Sequence, residues 1–65
     1  MESQVLALIS AKKLASGMFK DARYYRENGY PDEYLGYTEE RELAVKKAKT
    51  PDEVYAIMEA ARRAS

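Results

Sequence analysis

The sequence predicts an all-α protein, a small three-helix domain with a long N-terminal helix and a C-terminal helical hairpin. Three observations support this fold class. Apolar residues recur at helical spacing in three segments, N-terminal capping signals precede the second and third of them, and no alternating strand pattern occurs. The chain has 65 residues, a length that makes one domain at most, so we expect a single helical domain over residues 1–65.

The first helix is predicted from about residue 3 to residue 28. Gly17 lies inside it and costs about 1 kcal/mol relative to alanine, which a long helix tolerates. Asn28-Gly29 is a typical helix end, because glycine adopts the left-handed C-terminal cap without a Cβ clash. At 1.5 Å per residue such a helix is roughly 40 Å long, and its two partners within the chain are much shorter.

The first half of this helix is apolar over most of its circumference. One stripe follows the alternating three- and four-residue spacing of a coiled-coil seam, namely Leu8, Ala11, Ala15, Met18, Ala22 and Tyr25. Val5, Leu6 and Ile9 lie off this stripe, on another side of the first turns. A helix that is apolar on several sides must be covered on several sides.

The two shorter helices carry thin apolar stripes, which are too small to cover all the apolar sides of the first helix. We therefore expect a protein partner over Val5, Leu6 and Ile9, first of all a second copy of this chain in a homodimer, since small domains often gain stability by association. A different protein fits the same pattern. A monomer whose shorter helices wrap the first helix from both sides is the alternative.

The second and third helices are predicted over residues 39–49 and 51–64, with Thr38 as the N-cap of the second. Glutamates fill the first turn of the second helix and lysines its last turn, as the helix dipole favours. The Thr-Pro-Asp-Glu motif that begins at Thr50 predicts an N-cap, a proline at the first helical position and a capping box closed by Glu53.

Five of the six tyrosines lie between Tyr24 and Tyr37, in and around a connector predicted over residues 29–37. Tyrosine buries a large ring and leaves its hydroxyl in water, which suits an aromatic plug at the corner between the first two helices. Tyrosine is also enriched at interface hot spots. We expect both uses, with Tyr30 and Tyr34 exposed and available for a protein partner.

The formal charges cancel, but their distribution is uneven. Residues 1–28 carry a net charge of +2, residues 29–42 a net charge of −4, and residues 43–65 a net charge of +2. One side of the first helix holds four cations that are candidate phosphate contacts: Lys12, Lys13, Lys20 and Arg23. A nucleic-acid accessory protein is thus the alternative function. A solvated side whose cations bind the acidic connector of another subunit is the preferred interpretation.

Catalysis is not indicated, because the chain has neither histidine nor cysteine and its paired carboxylates stand where helix N-termini favour them. No metal or cofactor is expected. The longest apolar run, Val5 to Ile9, is far too short to cross a bilayer, so we expect a cytoplasmic protein. The sequence as a whole favours a small non-enzymatic interaction or regulatory module, an inhibitor or adaptor of bacterial or phage type.

Overall fold

The computed structural model describes residues 2–29 and 33–65 of the chain. Helix α1 spans Glu2–Glu27, α2 spans Glu39–Lys47 and α3 spans Pro51–Arg63. Within the two described ranges there is no strand. The predicted all-α fold with a long first helix and a C-terminal hairpin is confirmed.

Helix α1 ends where the Asn-Gly pair predicts, within one residue. The Asn28 backbone N–H donates to the Tyr24 carbonyl at 3.1 Å, and the Asn28 side-chain amide donates to the same oxygen at 2.7 Å. Gly29 follows with a φ of 94°, a conformation that a Cβ would disfavour. Residues 30–32 of the predicted connector lie outside the described residues.

Helix α2 is shorter than predicted. Its N-cap is Thr38, whose hydroxyl accepts from the Arg41 backbone N–H at 3.2 Å. It ends at Lys47 rather than at residue 49, because Ala48 is extended, with φ −61° and ψ 142°. In this extended conformation Ala48 packs into the core.

Helix α3 begins with the predicted cap in a slightly altered form. The Thr50 hydroxyl accepts from the Glu53 backbone N–H at 3.2 Å. The Glu53 carboxylate accepts from the backbone N–H of Lys49 at 3.1 Å, one residue before the N-cap that a standard capping box would use. The helix ends at Arg63, one residue earlier than predicted.

The helices run up, down and up. Arg23 of α1 meets Glu42 near the start of α2, and Lys12 meets Lys46 near its end, so α1 and α2 are antiparallel. Helix α3 then returns along α1, and the Gly36 N–H donates to the Ser65 hydroxyl at 3.0 Å. The molecule measures 42 × 17 × 14 Å, with its long dimension set by α1.

The core is rich in alanine. Its members are the buried residues Ala11, Ala15, Phe19, Ala22, Tyr37, Val45, Ala48, Val54 and Ala61. The predicted seam of α1 therefore faces α2 and α3, although Tyr25 at its end is 39% exposed. Alanine side chains let helices approach closely but bury little apolar area, so each contributes less than a leucine would.

Gly36 and Gly17 make a matched pair for testing the packing. A Cβ at Gly36 would collide with the Ala61 carbonyl oxygen and lie 2.9 Å from the Ala64 Cβ, whereas a Cβ at Gly17 would meet nothing within 4 Å. We expect Gly36→Ala to lower the free energy of unfolding by about 1–3 kcal/mol through overpacking. Gly17→Ala should raise it by up to about 1 kcal/mol through helix propensity.

Urea denaturation followed by circular dichroism measures both values. Equal stability of the Gly36→Ala variant and the wild type would contradict the close approach of the connector to the end of α3.

Candidate protein-interaction site

Three large aliphatic side chains at the start of α1 are exposed. Val5 is 59% exposed, Leu6 64% and Ile9 48%. They are one turn or less apart along the helix and form a contiguous surface, which we call the N-terminal apolar face. Neither α2 nor α3 covers it, so the surface that the sequence singled out is open in the single chain.

The geometry of α1 explains why this face stays open. Successive side chains are about 100° apart around a helix, which places Leu6 nearly opposite the buried stripe through Ala11 and Ala22. The two shorter helices both pack on that stripe. They cannot reach the opposite side of a helix that they flank from one side.

An apolar groove runs between α1 and α2 and begins at the N-terminal apolar face. It encloses about 290 Å³, with Ile9, Phe19 and Val45 among its lining residues. We call it the α1–α2 groove. Lys12, Lys13 and Lys46 also line it, so its apolar walls carry cations on both helices. Sequence reasoning missed the α2 wall, because the apolar pattern of α2 is too thin to show which neighbour Val45 meets.

Val5 extends the open surface towards the turn between α2 and α3. It lines a second depression of about 240 Å³ together with Leu8 and Pro51. Since Val5 and Ile9 are one helical turn apart, this depression and the α1–α2 groove are joined along α1. The open apolar surface is thus a track along one side of the molecule rather than an isolated patch.

Two of the four candidate phosphate contacts are engaged within the chain. The Lys12 ammonium donates to the Lys46 carbonyl at 2.8 Å, at the C-terminal end of α2 where the helix dipole favours a cation. Arg23 donates to both carboxylate oxygens of Glu42, each at 2.8 Å. Lys13 and Lys20 are exposed. The expected stripe of four free cations is therefore reduced to two.

The aromatic residues at the corner form a continuous series of ring contacts. Phe19 meets Tyr37 edge-on with centroids 5.4 Å apart, and Tyr37 meets Tyr34 at 5.8 Å. Tyr34 stacks on Tyr25 at 5.2 Å with an interplanar angle of 15°, and Tyr25 meets Tyr24 edge-on at 5.6 Å. Such pairs stabilise beyond their buried area, which supports the interpretation of this cluster as an aromatic plug.

The exposure of the tyrosines differs from the expectation. Tyr34 is half-buried between Tyr25 and Tyr37 rather than exposed, because the connector folds back onto the end of α1. Among the described tyrosines of the corner, Tyr24 and Tyr25 are the exposed ones, at 63% and 39%. The predicted partner residue Tyr30 lies outside the described residues.

Backbone hydrogen bonds from two arginines hold the corner closed. Arg26 donates to the Tyr37 carbonyl at 2.9 Å, and Arg41 donates to the Gly36 carbonyl at 2.8 Å. Charge-assisted bonds of this kind are stronger than neutral ones. They fix the connector against α1 and α2 and keep Tyr37 buried.

A further apolar groove, separate from the two depressions already described, lies between the other side of α1 and α3. Leu14, Met18, Tyr55 and Met58 are among its lining residues, and Leu14 and Tyr55 are 59% and 51% exposed. The apolar spacing of the sequence did not identify Tyr55 as the neighbour of Leu14. Tyr55 directly follows the buried Val54 on α3, so helical spacing places its side chain beside the apolar stripe of that helix. That spacing was the sequence signal available for its position in the groove.

Across residues 2–29 and 33–65, no group of three or more histidine, cysteine or acidic side chains is placed to hold a metal ion. In the same part of the chain, no helix has both the length and the apolar composition needed to span a membrane. No protein-family model, curated protein or solved structure matches this chain. Function must therefore be argued from the surface itself.

The ring contacts predict unequal roles for two tyrosines. Tyr37→Leu removes the ring that contacts both Phe19 and Tyr34, and we expect a loss of about 1–3 kcal/mol in the free energy of unfolding. Tyr24→Leu removes an exposed ring that meets Tyr25 edge-on, and we expect a change below about 0.5 kcal/mol. Thermal and urea unfolding of both variants provides the comparison, and a larger loss for Tyr24→Leu would contradict the plug.

Tyr34 should make stability sensitive to alkaline pH. Desolvation against its neighbours, and next the negative charge of Glu33, raise the pKa of the Tyr34 phenol. The unfolded phenol ionises near pH 10, so the folded state holds this proton longer than the unfolded state does. The corresponding stability is present below about pH 10 and is lost as the pH rises through the folded-state pKa.

Urea midpoints measured at increasing alkaline pH test this sign. Tyr34→Phe should weaken the alkaline loss of stability, whereas Tyr55→Phe, which removes an exposed phenol on α3, should follow the wild type. An alkaline loss that is identical in all three proteins would show that Tyr34 is not responsible.

Proposed function

We propose that this protein is a small non-catalytic interaction module that binds another protein surface through the N-terminal apolar face of α1. The observation that carries the proposal is the exposure of Val5, Leu6 and Ile9, each about half exposed or more. Scattered exposed apolar residues are ordinary, but three adjacent large ones form a patch of the kind that marks interaction sites.

The size of the exposed surface supports this proposal. A monomer of 7.4 kDa ordinarily exposes about 4,200 Å², whereas this chain exposes 4885 Å². Its radius of gyration is 12.1 Å, against about 11 Å for a compact chain of this length. The chain therefore exposes roughly 700 Å² more surface than an average compact monomer of its mass does.

We propose that the N-terminal apolar face is covered first of all by another copy of this chain. The alanine-rich core contributes little burial, so a single chain has a small stability reserve. Covering three aliphatic side chains would add up to about 1.5–3 kcal/mol for each one fully buried. Helix α1 offers the length needed for a paired helix, because its 26 residues extend about 39 Å.

The tyrosine corner is the proposed second part of the contact surface. Tyr24 and Tyr25 are partly exposed at the end of α1, and tyrosine rings order at low entropic cost. Tyr24 contacts Tyr25, and Tyr25 stacks on Tyr34, which in turn meets the buried Tyr37. This series of contacts holds the two exposed rings in a defined arrangement. A module of this type would act as an adaptor or an inhibitor, by occupying a surface on its partner.

Nucleic-acid binding remains the alternative proposal, supported by the exposed cations Lys13 and Lys20 on one side of α1. Lys12 and Arg23 already have partners within the chain. Binding that depends on phosphate contacts would weaken steeply with salt. This alternative requires that a Lys13→Glu/Lys20→Glu variant lose its binding to duplex DNA.

Sedimentation equilibrium tests self-association through the N-terminal apolar face. We expect the wild type to dimerise with rising concentration, and Leu6→Asp to shift the equilibrium to monomer by about tenfold or more in dissociation constant. Leu14→Asp is the matched control, since Leu14 is on the same helix and is 59% exposed, close to the 64% of Leu6. It should leave the equilibrium within about twofold of the wild type.

A wild type that stays monomeric at every concentration would contradict the homodimer. Equal effects of Leu6→Asp and Leu14→Asp would contradict the assignment of the face.

A further inference from the structure

We infer that the α1–α2 groove binds an acidic amphipathic helix of a partner protein, which would lie along α1 and α2 as the fourth helix of a bundle. This inference rests on the proposed function, because Ile9 belongs both to the N-terminal apolar face and to the groove. It adds the chemistry of the occupant. Anionic side chains would flank an apolar stripe.

The charge of the groove selects an acidic occupant. Lys12, Lys13 and Lys46 line it from both helices. Glu42 also lines it, but Arg23 holds both of its carboxylate oxygens and offsets its charge. The groove therefore presents an apolar interior between cations, of which Lys13 and Lys46 have no ion pair among residues 2–29 and 33–65. Complementary charge of this kind steers association and rejects like-charged partners.

The apolar interior selects a helix. Ile9 and Phe19, at the two ends of the α1 wall, are ten residues apart in the sequence, or roughly 15 Å along the helix. That distance accommodates about three turns of another helix, whose apolar side chains at i, i+3, i+4 and i+7 would enter the groove. Two antiparallel helices with an open side between them are the arrangement that a further helix completes in four-helix bundles.

A second copy does not suit this groove. Two copies packed groove to groove would bring Lys13 and Lys46 of one chain against the same cations of the other. The exposed acidic residues Glu33, Glu39 and Glu40 lie at the corner end of the molecule, in the connector and the first turn of α2. They do not flank an apolar stripe of a free helix, so a second copy does not supply the acidic amphipathic helix that the groove fits.

Peptide binding to the full chain tests the inference. The probe is a synthetic amphipathic peptide of about 14 residues with leucine at i, i+3, i+4 and i+7 and with glutamate and alanine elsewhere. Its counterpart has lysine at every glutamate position. Fluorescence anisotropy gives the dissociation constants, and amide chemical shifts of isotope-labelled protein locate the bound peptide.

The acidic peptide should bind at least about tenfold more tightly than the lysine peptide and should shift amide resonances of α1 and α2. Lys13→Glu/Lys46→Glu should reverse this preference. Lys47→Glu/Arg63→Glu makes the same change in net charge at exposed positions outside the groove, and it should change binding by less than about twofold. Ile9→Asp should abolish binding of both peptides.

The failures of the two proposals are distinguishable. Equal binding of both peptides, with Ile9→Asp still abolishing it, would overturn the acidic occupant and leave the docking face in place. Binding that survives Ile9→Asp, or shifts confined to the α1–α3 side, would overturn the α1–α2 groove as the binding site and leave the N-terminal apolar face to the sedimentation test. The inference would also be overturned if the acidic peptide did not bind, or if duplex DNA bound more tightly at the same salt concentration. Sedimentation of Leu6→Asp would then decide separately whether the N-terminal apolar face binds a second copy.

Discussion

The structure depends on a narrow contact between one long helix and two short ones. Helix α1 has 26 residues, whereas α2 has 9 and α3 has 13, and both short helices pack on the same alanine stripe of α1. Small side chains permit close packing there, but they restrict the contact to one side of a helix that is apolar on several. Every surface feature discussed above follows from this restriction, since what the short helices do not reach stays exposed.

The corner compensates for the small core. From the buried Tyr37, ring contacts extend to Phe19 on one side and to Tyr34 and the end of α1 on the other. Arg26 and Arg41 tie the same segment through backbone carbonyls. These contacts stabilise the described part of the corner, whereas the start of α1 exposes the apolar side chains of Val5, Leu6 and Ile9.

Charge then differentiates the exposed surfaces. Arg23 and Lys12 both form bonds to α2. Two of the four cations on this side of α1 therefore stabilise the fold. Lys13 and Lys46 line the α1–α2 groove, while the exposed acids Glu33, Glu39 and Glu40 lie at the corner. An apolar groove with cations along it discriminates between partners by charge, which an apolar face alone does not do.

The helices, their caps and the open face at Val5, Leu6 and Ile9 were determined by the sequence itself, because spacing, capping residues and helix length act locally. Tertiary packing alone decided the rest. It ended α2 early to bury Ala48, turned Tyr34 inward onto Tyr25, and paired Arg23 with a glutamate 19 positions away. It also formed the groove between Phe19 and Val45. These outcomes depend on which residues distant in sequence come into contact, and no local pattern specifies that.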